Sequence, residues 1–188
     1  MAGVRLLTPP RHSDERGWFS ETFNARSLAE AGIDIAFVQD NQALSHAVGT
    51  LRGLHFQAPP HAQAKLVHCL RGGIFDVVVD LRKGSPTYGR WVSAELSAQN
   101  GRQLFVPVGF AHGYVTLEAE TEIFYKVSDY YAPGCEGGIR FDDAQIAISW
   151  PLPASGAVLS PKDRDLRALR DFESPFAYDG APLQPLGT

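Results

Sequence analysis

Between Gly49 and Lys65 the chain reads GTLRGLHFQAPPHAQAK, which gathers Arg52, His55, Gln57, His61, Gln63 and Lys65 into one short stretch. An imidazole and an ammonium brought to one cavity suit proton abstraction beside a carbonyl. One group takes the proton while the other holds the oxygen that turns negative. Strand alternation points Leu51, Gly53, His55 and Gln57 one way and Arg52, Leu54 and Phe56 the other. After a break at Pro59-Pro60, Gln63, Lys65 and Val67 share one face of a second strand, and Ala64, Leu66 and His68 the other. The expected arrangement is a hairpin that delivers His55 and Lys65 to the same cavity. A hairpin whose polar side chains simply face water fits this stretch equally well.

Three further positions carry chemistry-bearing groups. His112 follows Pro107 and Gly109 in GRQLFVPVGFAHGY, as a site residue or as a core histidine bonded to backbone. Tyr125, in EIFYK, offers a phenolic proton from another strand, or plain aromatic packing. Asp163, in LSPKD, is placed to return from the C-terminal segment and orient an imidazole.

The elements that must position these groups are strands. LVHCL, IFDVVVDL, WVSAELS, RQLFVPV, GYVTLEA and TEIFYKVSDYY succeed one another across short Gly-, Pro- and Asn-containing turns, the spacing of a sandwich or barrel rather than of βαβ units. Upstream, VRLLTP, WFSETF and FVQDN read as short strands and Ser27–Ala31 as a helical turn ended by Gly32. Residues Ser160–Asp171 predict the one longer helix, with Ser160 as N-cap and Pro161 at its first position. One domain spans 1–188: N-terminal strands to about residue 45, a β core over about 46–150, and a C-terminal helix and tail over 151–188.

At 188 residues and 44% apolar content the chain can bury a sizeable core. A net charge of −4 argues against a broad basic field for nucleic acid. Cys69 and Cys135 have no metal-type spacing, and no apolar run approaches membrane-spanning length. A soluble, cytoplasmic protein without nucleic-acid or membrane partners is expected.

The spacing Gly101, Pro107-x-Gly109, His112 resembles the second motif of the cupin superfamily, and Gly49 to His55 fits part of the first. Metal-binding cupins carry His-x-His and a later acid in that first motif. Here Gln57 and Lys65 stand in those places. Exchanging an imidazole and an anion for an amide and a cation removes most of the affinity for a divalent ion, so no metal is expected.

The ordered segments DERGWFSE, FVQDN, LRGLHFQ, QAKLVHCLRGGIFDVVVDLRKGSPTYGRW, LFVPVGFAHGY, FYKVSDYYAP, EGGIRFDD, WP and LSPKD resemble the dTDP-4-dehydrorhamnose 3,5-epimerase family over residues 10–165. The resemblance implies an all-β double-stranded β-helix, the cupin jelly roll, with a short C-terminal helical segment. It also implies a homodimer that inverts C3 and C5 of a dTDP-4-keto-6-deoxyhexose without a cofactor. By that resemblance His55 is the base, Asp163 aligns and charges its ring, Lys65 stabilises the enolate and Tyr125 returns a proton to the opposite face. The nucleotide would be met by Arg16, Glu21, Gln39, Asp40, Asn41, Arg52, His112, Glu136 and Lys162, with Tyr130 or Tyr131 stacked on thymine. The N-terminal strand would cross to the partner subunit, carrying Arg16 and Glu21 into its site. Relatives that invert C3 alone or C5 alone share this residue set, so a monofunctional epimerase is the alternative.

Overall fold

The structure, a computed structural model, describes residues 3–186. Its strands are β1 (Arg5–Leu7), β2 (His12–Asp14), β3 (Gly17–Phe19), β4 (Gln39–Ser45), β5 (Leu51–Gln57) and β6 (Lys65–Arg71). They continue as β7 (Gly73–Asp80), β8 (Trp91–Ser97), β9 (Gln103–Val106), β10 (Phe110–Thr116), β11 (Thr121–Val127) and β12 (Glu136–Gly138). Two short helices accompany them, α1 (Ala25–Glu30) and α2 (Pro161–Arg164).

Two five-stranded antiparallel sheets, ordered β1-β9-β6-β11-β4 and β12-β5-β10-β7-β8, face each other as a jelly roll, and β2-β3 forms a separate ribbon. Val67, Leu104, Val106 and Ile123 from the first sheet meet Ile74, Val78, Leu96 and Tyr114 from the second. The second sheet is covered on its back as well, where Leu54, Phe56, Val77 and Val79 pack under Ile146, Leu169 and Phe176. Burial on both faces explains why IFDVVVDL is nearly continuously apolar instead of alternating. Leu28 and Ile33 cover Leu66 and Phe105 on the back of the first sheet.

Two expectations need correction. β5 and β6 do not form a hairpin. β5 pairs with β10 and β12, β6 with β9 and β11, and the Pro59-Pro60 segment crosses from one sheet to the other. A connection of this length does not impose pairing on its flanking strands, so each takes a more distant partner. His55 and Lys65 still share a cavity, but from opposite walls.

The helix expected over Ser160–Asp171 stops after one turn. The Ser160 hydroxyl caps it by accepting from the Asp163 amide at 3.1 Å, and Pro161 opens it. Arg167 then accepts at its carbonyl from the Arg140 amide at 2.9 Å, and the Leu169 amide donates to the Asp143 carboxylate at 2.8 Å. Such tertiary backbone bonds outcompete a short helix, which is marginal by itself.

Candidate active site

A cavity of about 440 Å³ opens between the sheets. β5 brings Arg52 and His55 to it, β6 brings Lys65, β10 brings His112 and Tyr114, β11 brings Tyr125, and α2 brings Lys162 and Asp163. A smaller pocket of about 130 Å³ shares His55, Lys65 and Tyr125 and adds Gln39, Asn41, Tyr131 and Glu136.

His55 Nε2 lies 2.5 Å from Asp163 Oδ1. The carboxylate is buried, and its second oxygen accepts from Ser160 Oγ at 2.8 Å. What brings residues 108 positions apart into contact is a clasp: Leu51 N–H donates to the Val158 carbonyl at 2.9 Å and Val158 N–H to the Gly49 carbonyl at 2.8 Å. Burial pushes the Asp163 carboxyl up, but the hydrogen bonds from His55 and Ser160, with the charge of an imidazolium, outweigh it, so the net direction is down. An anion so fixed selects one imidazole tautomer. With Nε2–H committed to Asp163, Nδ1 keeps the lone pair that can accept a proton.

Simple alternation had turned Arg52 away from His55. The register shows otherwise: His55 lies opposite His112 and Arg52 opposite Tyr114, with two residues between them on β5 against one on β10. This is a β-bulge, and it swings Arg52 onto the cavity side. Gly53 permits it, with φ of 131° and no room for a side chain: a Cβ there would sit 2.5 Å from Gly113 Cα.

The facing sheet supplies the other reactive groups. Tyr125 lies opposite Val67 and Lys65 opposite Val127, so both point inward from adjacent strands. Desolvation pulls the Lys65 ammonium down to about 8, against the attraction of Asp76 and Glu136. Desolvation pushes the Tyr125 phenol up, past the opposing influence of Arg52, so it stays protonated at neutral pH.

His112 is buried and bonded not to backbone but to a carboxylate, with Nε2 2.6 Å from Asp76 Oδ1. Glu136 accepts from the Tyr131 hydroxyl at 2.9 Å and pairs with Lys162. Burial raises the Glu136 carboxyl, yet Lys162 and Tyr131 carry the net direction down. Gln57 serves the fold. Its amide donates to the carbonyls of His61 and Tyr130, and its oxygen accepts from the Ala132 amide at 2.9 Å. Among the described residues no group of three or more His, Cys, Asp and Glu side chains converges as a metal site would.

Four expected nucleotide contacts are not at these cavities within one chain. Asp40 alternates with Gln39 and Asn41, so it faces outward, where Lys126 Nζ reaches it at 2.9 Å. Arg16 is exposed on the β2-β3 ribbon, paired with Asp14 at 2.6 Å, and Glu21 accepts from Asn24 at 2.9 Å. Tyr130 is 65% exposed and is bonded through its backbone, its carbonyl accepting from Gln57 and its amide donating to Asp129. Asp76, Ser160 and Tyr114 were not named as site residues from the sequence. The signal for Asp76 was a lone acid inside an otherwise apolar strand, and for Ser160 its capping position three residues before Asp163.

Residues 1–171 match the family model described as dTDP-4-dehydrorhamnose 3,5-epimerase. A dTDP-4-dehydrorhamnose 3,5-epimerase from Sinorhizobium fredii is 50% identical over 95% of this chain and 91% of its own length. Among solved structures, a dTDP-6-deoxy-D-glucose-3,5-epimerase from Legionella pneumophila in complex with dTDP-4-keto-L-rhamnose superposes with a TM-score of 0.89. It is 44% identical and covers 93% of this chain and 94% of its own. A dTDP-4-dehydrorhamnose 3,5-epimerase from Bacillus anthracis with TDP and PPi bound has a TM-score of 0.86 at 47% identity, over 88% of this chain and 94% of that one. With this match spanning the sheets, α2 and every side chain of the cavity, the chain belongs to the dTDP-4-dehydrorhamnose 3,5-epimerase family.

Proposed function

We propose that this enzyme inverts C3 and C5 of dTDP-4-keto-6-deoxy-D-glucose to give dTDP-4-keto-L-rhamnose. The observation that carries the reading is the opposition of two proton-transfer groups. His55, backed by Asp163, belongs to one sheet and Tyr125 to the other, with Lys65 beside Tyr125. Inversion needs an acceptor on one face of the carbon and a donor on the other, since a lone histidine only exchanges the proton it took.

The C4 ketone acidifies the hydrogens on both neighbouring carbons. His55 takes one of these protons, and the C–H electron pair moves into the ring to leave an enolate whose charge rests on the C4 oxygen. The Lys65 ammonium pairs with that oxygen. Tyr125 then donates its proton to the opposite face of the carbon, and the ketone re-forms. Solvent restores the protonation of Tyr125 and His55 before the second carbon reacts. Each positioned acid or base contributes about 10²–10⁴-fold.

Arg52 and Lys162 at the cavity, with Gln39, Asn41, Tyr131 and Glu136 at the adjoining pocket, are suited to the nucleotide. Arg52 in particular offers a planar fork to phosphate. A homodimer with exchanged N-terminal strands accounts for the residues left outside. The β2-β3 ribbon exposes Trp18 by 58% and Phe19 by 70%, and crossing to a partner would bury them and carry Arg16 and Glu21 along. No helix among the described residues is long and apolar enough to cross a membrane, and we place the enzyme in the cytoplasm with its nucleotide-sugar substrate.

A coupled assay tests the activity. Enzyme, dTDP-4-keto-6-deoxy-D-glucose, a 4-ketoreductase and NADPH are expected to yield dTDP-L-rhamnose. A 6-deoxyhexose inverted only at C3 would make the enzyme monofunctional.

The Lys65 ammonium also predicts a pH profile. It is the charged form that binds the enolate oxygen, so activity is complete below its ionisation and lost as pH rises through it. kcat/KM, which reports the free enzyme, should fall on the alkaline side with a midpoint of about 8. Lys65→Arg, always charged, should move this limb well upward at whatever activity it retains. An unmoved limb would assign it to another group.

A further inference from the structure

Two buried aspartates on β7 sit four residues apart and are treated differently by the fold. Asp80 is saturated: Arg82 holds both oxygens at 2.9 and 2.8 Å, and Ser85 and Thr87 add bonds at 2.7 and 2.8 Å. Asp76 is equally buried at 0% exposure, yet its one hydrogen-bond partner is His112, and Oδ2 has none. A structural carboxylate is normally satisfied as Asp80 is. One left with a single bond to a cavity histidine and a free oxygen is placed for the cavity, not for the fold.

Its surroundings say for what. Asp76 is the cross-strand neighbour of Tyr114, and His112 and Tyr114 both line the cavity that Lys65 enters from the facing sheet. The charged groups facing Lys65 are Asp76 on β7, Glu136 on β12 and Asp163 on α2, against Arg52 on β5 and Lys162 on α2. Of the anions, Glu136 already pairs with Lys162, and Asp163 with His55. Asp76 alone has no cationic Lys or Arg partner in contact. The remaining titratable neighbours are His55, His112, Tyr114 and Tyr125.

We propose that Asp76 is a positioning residue of the epimerase site, which holds His112 in place and supplies the uncommitted negative charge that keeps Lys65 cationic. His112 and His55 thereby form two histidine–carboxylate pairs directly opposite each other on β5 and β10, both through Nε2. The His55 pair serves the proton, the His112 pair the oxyanion side. Asp76 touches no reacting atom and acts only through His112 and Lys65.

The test is Asp76→Asn, which keeps the shape and removes the charge. Lys65 is one of four lysines, so its side-chain ¹³Cε resonance in substrate-free protein can be assigned by its loss in Lys65→Arg and followed against pH. Lys65 is expected to titrate near 8 in the wild type and about one unit or more lower in Asp76→Asn. The alkaline limb of kcat/KM should shift down with it, so that activity at about pH 7.5 drops ~3-fold or more and recovers as pH is lowered. An unmoved Lys65 titration, with activity lost equally at every pH or not lost at all, would overturn the proposal. Asp76→Ser retains an acceptor for His112 in a smaller volume and covers failure of the Asn variant to fold. If neither variant folds, Asp76 belongs to the fold and the proposal falls. The activity readout rests on the epimerase reading, whereas the Lys65 titration needs no substrate. A wild type that fails to epimerise while Lys65 still responds to Asp76 would therefore count against the reaction and not against the pairing.

Discussion

His55→Ala is expected to abolish epimerisation, with a loss of at least ~10²–10⁴-fold, while dTDP binding stays within about tenfold of wild type. The loss follows from geometry. Among the cavity side chains, His55 is the imidazole held by Asp163 at 2.5 Å, while His112, the other cavity imidazole on that sheet, is held by Asp76 and belongs to the oxyanion side of the account. Binding survives because the groups suited to the nucleotide, Arg52 on β5, Lys162 on α2 and Asn41 on β4, include no contact made by the imidazole. The fold should survive too, since Asp163 keeps the Ser160 hydroxyl at 2.8 Å after the imidazole is gone. The coupled rhamnose assay and calorimetric titration with dTDP check this pair of outcomes. Simultaneous loss of binding and thermal stability would move His55 from catalysis to structure.

Tyr125→Phe should separate exchange from inversion. The variant keeps His55, Asp163 and Lys65, so a proton still leaves the sugar and returns from the same side. What disappears is the donor on the facing sheet, and with it the inverted product, again by ~10²–10⁴-fold. The phenol suits that role because desolvation holds it protonated, so it arrives at the enolate with a proton to give. Solvent deuterium entering the substrate without net epimerisation is the expected signature. Normal product formation would remove Tyr125 as the acid.

The sequence carried much of this site, through residues far apart in the chain. The jelly roll was legible in the closely spaced strands and turns, and His55, Lys65, Tyr125 and Asp163 converge on one cavity although they come from three strands and a helix. Local rules failed where tertiary pairing decided. Leu51–Gln57 and Lys65–Arg71 read as a hairpin because they are sequence neighbours, yet each found its partners elsewhere. Arg52 read as facing away from His55 because alternation ignores bulges, and the bulge at Gly53 reversed it. The helix over 160–171 had a sound cap but lost its second half to backbone bonds with Arg140 and Asp143. The outward position of Asp40 was legible from alternation alone, since a strand that turns Gln39 and Asn41 inward turns Asp40 out. Asp76 was hidden inside IFDVVVDL, where only the pairing of β7 with β10 reveals that its carboxylate meets His112.

Proton NMR of dTDP-4-keto-6-deoxy-D-glucose incubated with the wild-type enzyme in D₂O tests the central claim most directly. The account predicts deuterium at both C3 and C5, with conversion to the 4-keto-L-rhamnose configuration. Deuterium confined to C3 would reduce the enzyme to a monofunctional epimerase, and no exchange at either carbon would contradict the assignment of His55 and Tyr125 to proton transfer on this sugar.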